Sequence, residues 1–127
     1  MADNREFIIR STEGGSASIS EDVIAIIACE AMREVEGFGG ASAGISGELQ
    51  DLIGRKNAAR GVRVTGGEDG VTVDTFITVR AGCSVTKTAR AIQSAVSKAV
   101  EDMTGISVLA VNVNVSGIAF EKEKQAQ

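Results

Sequence analysis

Histidine, tryptophan, tyrosine and proline are all missing from this chain of 127 residues. Without histidine it lacks the commonest general base and the commonest metal ligand at neutral pH. Four phenylalanines are its whole aromatic complement, too little ring surface to stack a run of unpaired bases. The two cysteines, Cys29 and Cys83, are far apart, with no metal-ligand spacing and no histidine to activate either. Both are expected to be reduced thiols used in packing, Cys29 in the core and Cys83 at a strand end ahead of a helix. No apolar run approaches the roughly 20 residues that span a bilayer. The first residues lack the basic-then-apolar layout of a secretory signal. The expected location is therefore cytoplasmic. Acidic residues outnumber basic ones 17 to 13, for a formal charge of −4, which argues against a general nucleic-acid binder. A local basic patch around Arg55, Lys56, Arg60 and Arg63 reads as a solvated face.

What is present is an ordinary globular composition, 43% apolar and 24% charged, enough for one core. The stretch from Val85 to Ile118 organises it. Val85, Ala89, Ile92, Val96, Val100 and Met103 recur at helical spacing and predict one apolar face. Ser84 or Thr86 can cap the start, and Gly105 stands where a helix ends in a left-handed residue. The period then changes to two. Leu109, Val111, Val113 and Val115 alternate with Ala110, Asn112, Asn114 and Ser116, predicting a strand with one buried and one wet face. A polar back face points to an antiparallel sheet open to water on one side and covered by helices on the other.

Residues 1–17 read as a flexible arm with a short strand at Glu6 to Arg10, and the single domain runs over 18–120, followed by a charged tail over 121–127. Ser18 with Glu21 has capping-box spacing and predicts a first helix from Ile19 to Glu36. Its stripe is Ile24, Ile27, Ala28, Ala31 and Val35, broadened by Val23 and Ile26. Gly37 to Gly47 is the least ordered interior stretch by composition, and Glu48 to Arg60 is consistent with a short helix. Val62 and Val64 open a hairpin, Gly66 to Gly70 is turn chemistry, and Val71 to Val79 returns with strict alternation. The fold class is α+β: two amphipathic helices on one face of a small, mainly antiparallel sheet of three to four strands, in the order helix, strand, strand, helix, strand. The last strand can lie beside either hairpin strand.

No catalytic, cofactor-binding or metal-binding residues emerge. The glycine-rich stretch after the first helix lacks the lysine of a phosphate loop, and Gly67 to Gly70 turns a hairpin instead of joining two helices. Asp69, Asp74, Glu101 and Asp102 read as turn, exposed strand face and solvated helix end. The candidate interaction surface is the polar sheet face carrying Thr72, Asp74, Phe76, Thr78, Asn112 and Asn114, with Phe76 an apolar group on a wet face.

Ile19-Ser20-Glu21-Asp22-Val23-Ile24, Glu34-Val35-Glu36-Gly37, Gly61-Val62-Arg63-Val64, Val71-Thr72-Val73-Asp74, Met103-Thr104-Gly105 and Val111-Asn112-Val113 stand in an order and spacing that resembles the alkaline shock protein family of Gram-positive bacteria. The likeness covers about residues 16–118. Glu36 replaces a proline usual in that family, and Ala81 stands where a tyrosine precedes its glycine. The resemblance implies a non-enzymatic protein of stress response and cell-envelope homeostasis. Self-association and a membrane-anchored partner protein are expected with it, while the net charge of −4, the few aromatics and the lack of a spanning segment lead to the expectation of no nucleic acid and no direct membrane binding. The alternative is a cytosolic regulatory domain that binds a small molecule or nucleic acid.

Overall fold

Val71–Arg80 is the strand with which every other strand of the main sheet pairs. In the computed structural model, which describes residues 6–41, 61–67 and 69–120, the order is β1 (Glu6–Thr12), β2 (Gly15–Ser20), α1 (Glu21–Arg33), β3 (Phe38–Ala41), β4 (Val62–Gly66), β5 (Val71–Arg80), α2 (Val85–Thr104) and β6 (Val108–Ala119). The expected order of helices, hairpin and last strand is found, and the short strand expected from Glu6 is β1, set in a sheet of its own with β2; β2, β3 and the parallel direction of the last strand are additions.

Backbone direction separates the two edges of β5. Phe76 and Arg80 donate to Gly61 O and Gly37 O, whereas Val71 and Ala81 donate to Ser107 O and Ala119 O. Even-numbered amides thus face β3 and β4, and odd-numbered amides face β6. On the first edge, β3 pairs Phe38 with Val79 and Ala41 with Ile77, while β4 pairs Val62 with Thr75 and Gly66 with Val71, both antiparallel. They form one edge strand in two pieces, left at Ala41 and resumed at Gly61. On the other edge β6 runs parallel to β5, from Val71 opposite Val108 to Arg80 opposite Ala119. A parallel neighbour needs a crossover, and α2 carries the chain back to the start of β5.

The odd residues of β5, Val71, Val73, Thr75, Ile77 and Val79, are all fully buried. Ile24, Ala28 and Met32 of α1 and Ile92, Val96 and Val100 of α2 pack over them with Val62, Val64 and Val111. Ser84 caps α2, its hydroxyl accepting from Lys87 N–H at 3.2 Å, and Gly105 closes the helix at φ 79° with its N–H on Glu101 O. The α2 face is rotated from the expected one. Val85 and Met103, placed on the apolar stripe by spacing, are exposed at 42% and 71%, and Thr88 and Thr104 are buried in their stead. Thr88 fits because it lies against Gly37, where any Cβ would collide with its hydroxyl. Thr104 fits because its hydroxyl is used twice, donating to Val100 O at 2.7 Å and accepting from Ile106 N–H at 3.0 Å.

Three boundaries differ from the sequence reading. The first helix is Glu21–Arg33, capped by Ser20, whose hydroxyl accepts from Val23 N–H; Ser18 belongs to β2. The residues ahead of it form an antiparallel hairpin, Phe7 opposite Ile19 and Thr12 opposite Gly15, turned at Glu13 and Gly14. Phe38–Ala41 is a strand within the stretch read as least ordered, with Gly39 bulged out of register. A side chain there would come within 2.9 Å of Ala119 Cβ. The helix expected over Glu48 to Arg60 lies outside the described residues, as do residues 42–47 and the tail over 121–127.

Candidate interaction surface

Strand alternation sends the even residues of β5 to the face opposite the helices, and cross-strand register decides what they meet. Arg63 of β4 is the direct partner of Asp74, and Asn112 of β6 is its partner on the other side. The three side chains join. Arg63 donates Nε and Nη2 to Asp74 Oδ2 at 3.2 and 3.0 Å, and Asn112 Nδ2 donates to Oδ1 at 2.8 Å. One polar row therefore crosses all three strands. Both carboxylate oxygens hold donors, so the charge is compensated where it is withdrawn from water.

A second layer of bonds fixes the row to the backbone. Thr75, on the core side, donates its hydroxyl to Asn112 O at 3.2 Å, and Asn114 Nδ2 donates to Thr75 O at 3.1 Å. Among the described residues no buried side-chain nitrogen or oxygen is without a partner. The centre of the face is thus a pre-arranged polar surface in which Arg63, Asp74, Asn112 and Asn114 are already held in place. Phe76 adds half-buried apolar area beside it. A shallow groove runs over Asp74, Phe76, Asn112 and Asn114 and turns round the margin of β6 to Gln93, whose Nε2 donates to Val111 O at 3.1 Å.

The six residues proposed from the sequence all lie on β5 or β6 as expected, and four of them share the groove. Thr72 and Thr78 lie toward the two ends of β5, Thr72 opposite Thr65 and Ala110, Thr78 close under the bulge at Gly39. Asp74 is a correction. Expected on an exposed face, it is 8% exposed because its central strand has neighbours on both sides and both donate to it. Arg63 and Gln93 were missed. Alternation with Val62 and Val64 places Arg63 on this face, and the hairpin register opposite Asp74 is the signal that would have found it. Arg55, Lys56 and Arg60, read with it from the sequence as a basic patch, lie outside the described residues. Gln93 carries no sequence signal, being one polar residue on the wet side of a helix.

Cys83 is half-buried against the core, and Cys29, expected inside it, is also half-buried. Among the described residues no group of three acidic, cysteine or histidine side chains could hold a metal ion, and no helix is long and apolar enough to cross a membrane.

Comparison with known proteins bears on what such a surface is for. Residues 10–120 match the model of the alkaline shock protein 23 family, whose description is a cell envelope-related function. Bacillus subtilis YqhY is 30% identical over 114 residues, covering 90% of this chain and 84% of that one. Bacillus subtilis YloU is 29% identical over 109 residues, covering 84% and 91%. Streptococcus pyogenes Spy1614 is 29% identical over 110 residues, covering 85% and 91%. All three are described as uncharacterised proteins. No solved structure matches this chain.

Proposed function

This chain belongs to the alkaline shock protein 23 family, and we propose on that premise that it is a non-enzymatic binding module of the cell envelope. It acts through protein–protein contact and self-association, and works in the stress response from the cytoplasmic side. The observation that carries this reading is the open face of the sheet. Its central polar groups, Arg63, Asp74 and Asn112, are bonded to one another, as in a rigid docking surface, and among the described residues none of the three is left as a free acid or base at the bottom of a cleft. Arg63 and Phe76, the one a partly exposed cation and the other half-buried and apolar, are the residue types that anchor protein interfaces.

Envelope attachment then falls to a second protein. The chain carries a formal charge of −4, which anionic lipid repels. Helix α1 and its C-cap present Glu30, Arg33 and Glu34 to solvent, whereas a membrane-surface helix would carry a lysine- and arginine-rich face.

The test is crosslinked capture from the native cell, separated into membrane and soluble fractions, with wild type and Phe76→Ala side by side. The expected result is an integral-membrane protein recovered with wild type and lost with the variant, while the variant melts as wild type does. Equal recovery with both removes the open face as the contact. Turnover of a small molecule by the purified chain would overturn the non-enzymatic reading altogether.

A further inference from the structure

The margin of the sheet formed by β6 is built as a pairing edge. β6 is hydrogen-bonded to β5 on one side and to no strand on the other among the described residues. Residues 110, 112 and 114 direct their backbone groups inward, as the Thr75 hydroxyl on Asn112 O shows. By alternation Val111, Val113 and Val115 direct theirs outward. The Gln93 amide confirms the direction by reaching Val111 O from outside the sheet. Exposed edges are ordinarily blunted by charge, proline, shortness or a bulge. β6 is 12 residues long and contains no charged residue and no proline. Its two register shifts, near Leu109 and Ser116, flank a regular run from Ala110 to Val115.

That run is also its own complement. Val111-Asn112-Val113-Asn114-Val115 reads the same in both directions about Val113. Antiparallel pairing of two such strands about a two-fold axis puts like beside like, valine with valine on the helix side and asparagine with asparagine on the open side. No pair brings like charges together.

We propose that two copies of this chain join through β6, antiparallel about Val113, into one continuous sheet. The proposal deepens the self-association reading above and rests on it. Outward amides and carbonyls of Val111, Val113 and Val115 satisfy one another across the axis. Val111 O can keep the Gln93 amide, since a carbonyl oxygen has two acceptor positions. The opposite margin of the sheet is unsuited to the same role, being divided between β3 and β4 and bulged at Gly39. Joining through β6 also places two open faces side by side on one surface, doubling the area offered to a partner.

Light scattering combined with amide hydrogen exchange on the full chain tests this. The expected result is a dimer in which the amides of Val111, Val113 and Val115 are protected as strongly as those of Asn112 and Asn114. A dimer whose odd-numbered amides exchange freely overturns the β6 interface and leaves self-association standing. A monomer at every concentration overturns both. Asn112→Lys with Asn114→Lys sets like charges opposite each other twice across the axis and should weaken the dimer roughly tenfold. Asn112→Lys with Asn114→Glu sets opposite charges there and should restore it. Equal association by the two double variants would count against the proposed register, and the exchange pattern of wild type decides the matter even where a variant fails to fold.

Discussion

Arg63 and Asp74 are direct cross-strand partners, and the guanidinium places two donors, Nε at 3.2 Å and Nη2 at 3.0 Å, on one carboxylate oxygen. That arrangement leaves the second oxygen to Asn112, so one buried carboxylate ties β4, β5 and β6 together. Asp74→Ala strands the donors of both neighbours. Hydrogen bonds to charged groups contribute about 1.5–3 kcal/mol, and the Arg63 side chain is 39% exposed, so solvent recovers part of the loss. A destabilisation of about 1–2 kcal/mol in urea is expected. A double-mutant cycle with Arg63→Met should show clear coupling; additive effects would mean the pair contributes nothing as a pair.

Thr104 and Met103 are adjacent, and their contributions should be opposite to what hydrophobicity suggests. Thr104→Val keeps the shape but removes the hydroxyl that receives Ile106 N–H inside the protein, which should cost about 1–2 kcal/mol. Met103→Ala, at 71% exposure, should change stability by less than about 0.5 kcal/mol. Thermal melts of the two variants decide it, and a larger loss from Met103→Ala would show that the helix face is misassigned.

Gly37 has φ 99° and lies against Thr88 and Cys83. Gly37→Ala meets both a backbone penalty of about 1–3 kcal/mol and a collision with the Thr88 hydroxyl. Adding Thr88→Ala should recover the collision and leave the backbone cost. Full recovery in the double variant would show that φ contributes little at this position.

Purified protein should not co-sediment with vesicles of anionic lipid at physiological salt. Its charge is −4, and Val23 and Ile26, the exposed apolar residues of α1, are only 41% and 40% exposed. Binding in the absence of other protein would move membrane attachment from a partner to this chain.

Elements with a strong internal period were legible. β5 alternates without interruption, α2 announces both its ends through Ser84 and Gly105, and the β4–β5 turn is spelled out by glycine and aspartate. Elements defined by what they pair with were not. Phe38–Ala41 has no pattern of its own and is a strand because β5 offers it an edge, as Arg80 N–H on Gly37 O shows. The parallel setting of β6 is decided by the crossover helix, since its own alternation suits either direction. Four of the six surface residues were found together because period two places them on one face. Arg63 was hidden by its reading as one of a basic cluster, and the burial of Asp74 depends on neighbours in both adjoining strands. Thr88 and Thr104 were missed because their burial depends on a glycine and a helix end that a count of apolar residues does not weigh.

The two-piece margin made by β3 and β4 also bears on where the protein can vary. The strand breaks off at Ala41 and resumes at Gly61, where an added Cβ would lie 3.1 Å from the Ala41 Cβ. Ala41 and Gly61 O already occupy consecutive rungs along β5, at Ile77 and Phe76. Each end is thus stitched to β5 by its own rung. The join is where this margin admits no side chain: Gly61→Ala, at φ 73°, would press on Phe76 O and on the Ala41 Cβ together, while the polar row and the β6 margin should stay in register.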